Sequence, residues 1–307
     1  MLEALLFHFP VSGVKTYVFL PPLFSFVLSL FCATGGVSGA FLLLPFQVSL
    51  LNFVSPSVSA TNHLYNVVAI PAGVYRYWKE KRFYYPLTLL ITIGTFPGVI
   101  IGYFLRVSYF RELKNFKLLV GGVLLFIGLK LLYDLFFPKR EVSFSPEPVK
   151  TLKFNLRILQ FEYAGRAYSI NTILLALIAL VIGIVGGIYG IGGGAVMAPL
   201  LLAFFQLPPY IFAGATLFGT FLTSILGVLV YTFGGNGPDF LLGFLFGLGG
   251  FIGIYLGAKI QKRVPQRVIR LILTLMLLYI SLQYLSLLSS FARFLKFHSF
   301  LVWRFLS

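Results

Sequence analysis

Two long stretches of this chain contain no charged side chain. No Asp, Glu, Lys or Arg occurs in residues 16–75 or in residues 167–238. Each stretch is about three times as long as the ~20 residues that cross a bilayer as one helix. The chain must therefore turn inside the membrane or at its edge without charged loops. Because every backbone polar group in lipid needs an internal partner, both stretches are predicted to be helical, with breaks only where protein shields them.

The overall composition indicates the same class of protein. Of the 307 residues, 59% are hydrophobic and 10% are charged, and the mean hydropathy is +0.95. A soluble domain of this length does not bury that much apolar surface. The net charge of +16 does not indicate nucleic-acid binding, because the basic residues lie in short loops between apolar segments. The sequence therefore predicts a multi-pass membrane protein, with the lipid bilayer as a partner.

Disulfide, metal and cofactor chemistry find little support in the sequence. The chain contains one cysteine, Cys32, and three scattered histidines. A single cysteine excludes a disulfide within the chain, and this set is too sparse for a metal site. We predict no metal and no cofactor.

The apolar segments form two sets of five. The first set lies near residues 17–34, 39–51, 57–77, 84–106 and 115–137, and the second near residues 170–188, 193–206, 210–233, 240–260 and 267–288. The second segment of each set has only ~13 residues, too short to span a bilayer comfortably as a helix. Short, Gly-interrupted segments at matching places in two halves are typical of discontinuous-helix transporters.

These segments predict four regions in the chain. Residues 1–138 form a first membrane repeat and residues 139–168 a polar linker. Residues 169–290 form a second membrane repeat and residues 291–307 an amphipathic basic tail.

The two halves match in the spacing of their landmarks. A shift of 154 positions superposes Gly36 on Gly190, Gly39 on Gly193, Pro45 on Pro199, Gly73 on Gly227 and Tyr77 on Tyr231. One further residue brings Gly98 and Gly102 onto Gly253 and Gly257. This agreement indicates an internal repeat, and an odd number of passages per half would invert the second copy. The predicted fold is an all-α polytopic membrane protein with two inverted-topology repeats of about five helical segments and short Gly-headed half-helices.

Loop charge gives an independent estimate of orientation. The loops 76–82 and 259–270 and the central linker hold fifteen Lys and Arg residues, against eight in the remaining loops and termini. Because cytoplasmic loops are enriched in basic residues, the larger group is predicted to lie inside, with both termini outside. The basic loop 106–117 is an exception to this assignment.

A glycine run precedes each short segment. The first is Gly35-Gly36-Val37-Ser38-Gly39, and the second is Gly190-Ile191-Gly192-Gly193-Gly194. Each run places backbone amides at a helix N-terminus, where unpaired N–H groups and the helix dipole favour an anion. The predicted substrate-binding residues from these runs are Ser38, Gly39, Gly192, Gly193 and Gly194. Close helix packing through small residues is the alternative explanation.

Polar residues follow the short segment in each half. Asn62 and Asn66 share one face of a segment without charge, and the 154 shift pairs them with Thr216 and Thr220. Because polar groups are costly in lipid, we predict that these four face a central binding cavity, with helix-to-helix hydrogen bonding as the alternative. His63 lies beside them and is a candidate for proton coupling, although a structural hydrogen bond is the simpler role.

The motifs resemble one known family. The second half contains GIYGIGGGAVMAPLLL, LPPYIFAGATLFGTFLTSILGVLVY and GLGGFIGIYLGAKI, and the first half contains GGVSGAFLLLP and SATNHLYNVVAIPAGVYRY. These strings resemble the TauE/SafE sulfite exporter family, with the first half similar to its more divergent copy. The resemblance implies a secondary transporter of the plasma or inner membrane for sulfite, sulfonates or another sulfur-containing or organic anion.

Two other functions compete with this expectation. Gly36-Val37-Ser38-Gly39 matches the GxSG pattern of an intramembrane serine protease, which would need a histidine such as His63 within hydrogen-bond reach of the serine. The repeat equivalent of Ser38 is Gly192, which favours a backbone role at this position. An anion channel is the other alternative. We expect a transporter of a small anion, most simply an exporter, with no enzymatic activity and no catalytic residue; homo-oligomerisation stays open.

Overall fold

The computed structural model of the chain describes residues 6–110, 112–137 and 144–285. The predicted basic tail, residues 291–307, lies outside the described residues. The described part contains ten helices: α1 (Leu20–Thr34), α2 (Ala40–Ser49), α3 (Ser57–Lys79), α4 (Tyr85–Ser108), α5 (Leu113–Phe136), α6 (Thr172–Tyr189), α7 (Gly193–Ala203), α8 (Pro209–Phe233), α9 (Phe240–Gln261) and α10 (Gln266–Tyr284).

Six of the described helices are long and apolar enough to cross a membrane. They are α4, the stretch Lys117–Phe136 of α5, α6, α8, α9 and α10. The helices α1, α2 and α7 are apolar but shorter. The predicted all-α polytopic membrane fold is therefore confirmed, with its two short Gly-headed helices, α2 and α7, at the expected places.

Helix packing follows the internal repeat. In the first half α1 packs along α9, and its equivalent α6 packs along α4. The pairs α3 with α9 and α8 with α4 are related in the same way, while α3 packs on α8 and α5 on α10. Each half therefore completes its helix bundle with a helix from the other half. The result is two groups, α1/α3/α9 and α4/α6/α8, joined where α3 meets α8.

The contact between α3 and α8 fixes the relative direction of the repeats. Gly73 faces the side chain of Leu217, and Gly227 faces the ring of His63. Residues early in α3 thus lie beside residues late in α8, so the two helices are antiparallel. Because α3 and α8 are equivalent elements, the second repeat is inverted relative to the first.

Equivalent glycines make equivalent close contacts. A Cβ atom on Gly98 would lie 2.4 Å from the carbonyl oxygen of Leu180, and one on Gly253 would lie 2.5 Å from that of Phe26. No real Cβ approaches a carbonyl so closely, so both glycines let two helix backbones touch. One turn later the same relation joins Gly102 to Ile184 and Gly257 to Leu30.

Two small β elements flank the helices. The strands β1 (Leu6–His8) and β2 (Lys15–Tyr17) form a hairpin, and β3 (Lys150–Phe154), β4 (Ile158–Tyr163) and β5 (Arg166–Asn171) form an antiparallel sheet in that order. The sequence predicts only a polar linker over residues 139–168, which contain β3, β4 and the start of β5. The central strand of the sheet alternates buried Leu159, Phe161 and Tyr163 with more exposed residues, so one face of the sheet packs inward.

An ion-pair cluster lies at the end of α3. Glu80 pairs with Arg76, with Arg82 at 2.8 Å and with Lys262 at 3.2 Å. Arg82 also donates to Gln261 Oε1 at 2.9 Å. The cluster therefore ties the connection between α3 and α4 to the end of α9.

Candidate functional site

Both glycine runs break the chain with left-handed residues at equivalent positions. Gly36 has φ +74° and Gly190 has φ +73°. A Cβ atom would lie 2.7 Å from Ala213 Cα at the first position and 2.3 Å from the Ser59 carbonyl oxygen at the second. Both the backbone conformation and the close approach therefore require glycine. The repeat also relates the two partners, because Ser59 and Ala213 begin α3 and α8 at equivalent positions.

The two runs open α2 and α7 with free backbone amides. Within the described residues, the amides of Ser38 and Ala40 donate no hydrogen bond, whereas the Gly39 amide is directed at the Tyr65 hydroxyl. At the start of α7 the amides of Gly194 and Ala195 are likewise unpaired in the described part of the chain. These N–H groups carry partial positive charge, which the helix dipoles reinforce.

Thr216 of α8 touches both glycine runs. Its hydroxyl donates to the carbonyl oxygen of Gly36 at 2.9 Å. Its own carbonyl oxygen lies only 2.0 Å from where a Cβ on Gly194 would be. The two runs therefore approach the same turn of α8.

The residues of α3 make the complementary contacts. Asn62 Nδ2 donates to the Ala40 carbonyl oxygen at 3.0 Å, in the first turn of α2. Asn66 Nδ2 donates to the Ile191 carbonyl oxygen at 3.1 Å, in the second glycine run. The Asn62/Asn66 face of α3 therefore contacts the first residue of α2 and the second glycine run.

Two further polar residues, Gln47 and Ser224, complete the cluster and were not predicted from the sequence. Gln47 Nε2 donates to Asn62 Oδ1 at 3.3 Å, and Asn66 Nδ2 donates to Ser224 Oγ at 3.1 Å. Ser224 Oγ also lies 3.3 Å from His63 Nδ1. Two features of the sequence could have identified them. Gln47 is a lone amide within apolar α2, and Ser224 lies one turn beyond Thr220.

The nine predicted binding residues differ in what they contact. All nine are buried. Gly192 and Gly194 pack against Thr220, whose hydroxyl donates to the Thr216 carbonyl oxygen at 2.8 Å. The Gly193 amide donates to Thr223 Oγ1 at 3.2 Å. Gly39 faces away from α8, since its nearest neighbours are the hydroxyls of Tyr65 and Ser29.

Several buried polar atoms of the cluster have no hydrogen-bond partner within the described residues. They are Ser38 Oγ, Gln47 Oε1, His63 Nε2 and Asn66 Oδ1. Leaving a buried polar atom unpaired costs about 1–3 kcal/mol, so such atoms point to a bound ligand or water. None of the three cavities described in this structure is lined by the nine residues. Because all nine residues are also buried, the cluster is closed to solvent in this conformation.

The serine protease alternative requires a different arrangement. Its nucleophile would need a base within hydrogen-bond reach. His63 Nδ1 instead meets Ser224 Oγ, and Ser38 Oγ has no partner among the described residues. The structure does not bring Ser38 and His63 together as a catalytic pair.

With the geometry known, comparison with known proteins identifies the family. The family model described as "Sulfite exporter TauE/SafE" matches residues 22–284. The chain belongs to the TauE/SafE family. Its described helices and this membership make it a multi-pass protein of the cell membrane.

Two relatives of the chain are known from Bacillus subtilis (strain 168). The "Probable membrane transporter protein YunE" is 29% identical over 187 residues, which cover 60% of this chain and 64% of that protein. The "Probable membrane transporter protein YjnA" is 25% identical over 205 residues, which cover 65% of this chain and 73% of that protein. The match to YunE thus spans less than two thirds of its length. No solved structure matches this TauE/SafE chain. The family and the names of these relatives support a transporter role.

Proposed function

We propose that this chain is a secondary transporter that exports a small anion, such as sulfite or another sulfur-containing or organic anion. The observation that carries the proposal is that Thr216 contacts both glycine runs. The first turns of α2 and α7 thereby bring two electropositive helix ends to one buried cluster. An oxyanion between them would receive hydrogen bonds from the unpaired amides.

The electrostatic potential of the cluster suits a transported anion. None of its side chains is charged, and its positive potential comes from two helix dipoles, each equivalent to roughly half an elementary charge at the N-terminus. A permanent cation at this depth would be costly when the site is empty and would retain the anion too firmly. The Ser38 hydroxyl and the Asn62 amide hydrogen that does not bond Ala40 would supply the remaining hydrogen bonds. Asn66 and Thr216 would instead hold the two glycine runs in place, because their hydrogens are donated to carbonyl oxygens of these runs and to Ser224.

Transport requires the closed cluster to open to each side in turn. The helix groups α1/α3/α9 and α4/α6/α8 are related by the inverted repeat and meet at α3 and α8. Rocking of one group against the other would expose the cluster first to one side of the membrane and then to the other. A cell interior that is negative favours anion export by about 2.3 kcal/mol per charge at 100 mV.

His63 is our candidate for coupling a proton to this movement. It is fully buried between α3 and α8, where its ring faces Gly227 and its Nε2 atom has no partner among the described residues. Because this ring lies where the two helix groups meet, movement of one group against the other would change its surroundings. If the role is correct, His63→Gln will remove the pH dependence of transport while sulfite binding remains.

The proposal is tested by [³⁵S]sulfite transport in proteoliposomes under anaerobic conditions. Thr216→Val keeps the shape of the side chain but removes its hydroxyl, and we expect it to lower the initial rate at least tenfold. Thr232→Val is the matched control, because Thr232 lies on the same helix with an exposed hydroxyl bonded to the Val228 carbonyl. Equal rates for both variants would contradict the proposed site.

The same vesicles separate a carrier from the anion-channel alternative. A carrier exchanges labelled for unlabelled sulfite across the membrane, so excess internal sulfite accelerates uptake of the label. A channel shows no such counterflow. Uptake of sulfonates and carboxylates in the presence of sulfite then ranks the substrates.

A further inference from the structure

Two apolar grooves lie side by side on the outer surface of α4. One has a volume of about 610 Å³ and lies between α3, α4 and α8, and the other, of about 640 Å³, lies between α4 and α6. Leu89 of α4 and Phe154 of β3 line both grooves. Phe154 therefore stands where the two grooves join. No charged residue lines either groove.

Three hydrogen bonds hold the turn after Phe154, which carries an exposed apolar side chain. Asn155 Oδ1 accepts hydrogen bonds from the amides of Arg157 at 2.9 Å and Ile158 at 2.8 Å. Thr172 at the start of α6 donates to the Asn155 carbonyl oxygen at 3.2 Å. Leu156, at the tip, is 88% exposed. The Thr172 hydrogen bond thus holds the turn against α6, and the largely exposed Leu156 also lines the second groove.

Two cations border this apolar turn. Lys153 precedes Phe154 and Arg157 follows Leu156, and both are exposed. The second groove continues along the starts of α4 and α6, where Ile93 is 62% exposed. An apolar channel that runs along the membrane-facing side of two spanning helices, with basic residues at its mouth, matches the chemistry of an anionic lipid.

We propose that this surface binds an anionic phospholipid. Its acyl chains would occupy the two grooves on either side of Phe154, and its phosphate would lie between Lys153 and Arg157. The groove volumes fall in the range of small-molecule sites, about 300–1,000 Å³. Each Lys or Arg near an anionic headgroup strengthens binding several-fold, and Leu156 would insert at the headgroup boundary beside it. The two grooves share no lining residue with the buried polar cluster.

Native mass spectrometry of the purified protein in detergent tests the proposal. Phosphatidylglycerol is titrated against phosphatidylcholine of the same chain length, and sn-glycerol 3-phosphate represents the free headgroup. Lys153→Gln combined with Arg157→Gln should weaken phosphatidylglycerol binding roughly tenfold and bring it near that of phosphatidylcholine.

The sheet itself provides the matched control. Lys150→Gln combined with Arg166→Gln removes the same charge at the opposite end of the sheet. There Lys150 lies opposite Glu162, and Arg166 opposite Tyr163, in the strand register. This pair should keep affinity within about twofold of the wild type. Leu89→Trp, which fills both grooves, should weaken long-chain phosphatidylglycerol but leave the thermal unfolding midpoint without lipid unchanged. Any of three results would overturn the proposal. The two double variants could lose phosphatidylglycerol affinity equally, the wild type could bind phosphatidylcholine as tightly as phosphatidylglycerol, or free glycerol phosphate could compete with the lipid.

Discussion

Tyr77 and Tyr231, 154 positions apart, make the same hydrogen bond in opposite halves of the protein. The Tyr77 hydroxyl donates to the carbonyl oxygen of Ala33 at 3.2 Å, and the Tyr231 hydroxyl donates to that of Gly187 at 2.9 Å. Ala33 and Gly187 are themselves 154 positions apart. Each bond joins the third helix of a repeat to the end of its first helix, just before the glycine run. The inverted repeat therefore extends to single hydrogen bonds.

Removing either hydroxyl should cost similar stability. Tyr77→Phe and Tyr231→Phe each leave a buried carbonyl without this donor, so each is expected to lower the free energy of unfolding by about 1 kcal/mol. Tyr279→Phe is the control, because Tyr279 is 57% exposed. Denaturant unfolding in detergent micelles measures the differences. A loss in only one of the two variants would contradict functional equivalence of the two bonds.

The start of α7 should not tolerate a side chain. In Gly194→Ala the new Cβ would collide with the Thr216 carbonyl oxygen, at 2.0 Å, so α7 and α8 must separate. We expect a loss of at least about 2 kcal/mol of stability together with loss of transport. Gly122→Ala on α5 is the control, since a Cβ there meets nothing within 4 Å. Normal transport by Gly194→Ala would mean that the close contact between these helices is dispensable.

The ion-pair cluster at the end of α3 should make stability depend on pH. Burial of the Glu80 carboxyl opposes ionisation, but Arg82, Lys262 and Arg76 outweigh it and hold the pKa of Glu80 below its ordinary value of 4.5. A pKa lowered on folding stabilises the protein above the pKa of the unfolded state, and this stabilisation is lost as pH falls through the folded-state value.

Thermal unfolding measures this effect between about pH 7 and pH 3, because this range brackets the ordinary carboxyl pKa. The wild-type midpoint should fall with acid more steeply than that of Glu80→Gln. Glu162→Gln, which removes a carboxylate that takes part in none of these ion pairs, should keep the wild-type slope. Parallel curves for the wild type and Glu80→Gln would contradict the assignment.

Ser38→Ala distinguishes an anion carrier from a protease. A carrier that binds its anion mainly through backbone amides should retain transport within about tenfold, because one hydrogen bond contributes roughly 0.5–1.5 kcal/mol. A serine protease would lose all activity with its nucleophile. Transport rate and cleavage of a model membrane substrate are measured on the same preparation. Cleavage by the wild type that disappears in Ser38→Ala would refute the carrier.

The spacing of the glycines allowed the repeat to be predicted from the sequence. A left-handed turn or a contact between helix backbones excludes every other residue, so Gly36/Gly190 and Gly98/Gly253 mark the same geometry in both halves. The polar cluster was harder to predict from the sequence. Gln47 and Ser224 reach it because of how α2 and α8 are rotated about their axes, which a single sequence does not specify.

The β elements illustrate a second limit. The alternation in β4 is short, and it lies in a segment whose basic residues suggested a solvated loop. Only its packing on the membrane part makes it a strand with a buried face: the ring of Phe161 lies 5.2 Å from that of Tyr84, at the start of α4. Strand formation here depends on a tertiary contact that the local pattern does not contain.

Equilibrium binding of [³⁵S]sulfite to the purified protein tests the central claim most directly, because it examines the paired glycine runs without any assumption about transport direction. We expect one sulfite per chain, and a loss of affinity of about tenfold or more in both Asn62→Leu and Thr216→Val, which alter equivalent positions of α3 and α8, with Thr232→Val unchanged. Sulfite binding that neither substitution at the buried cluster weakens would show that the anion is held elsewhere.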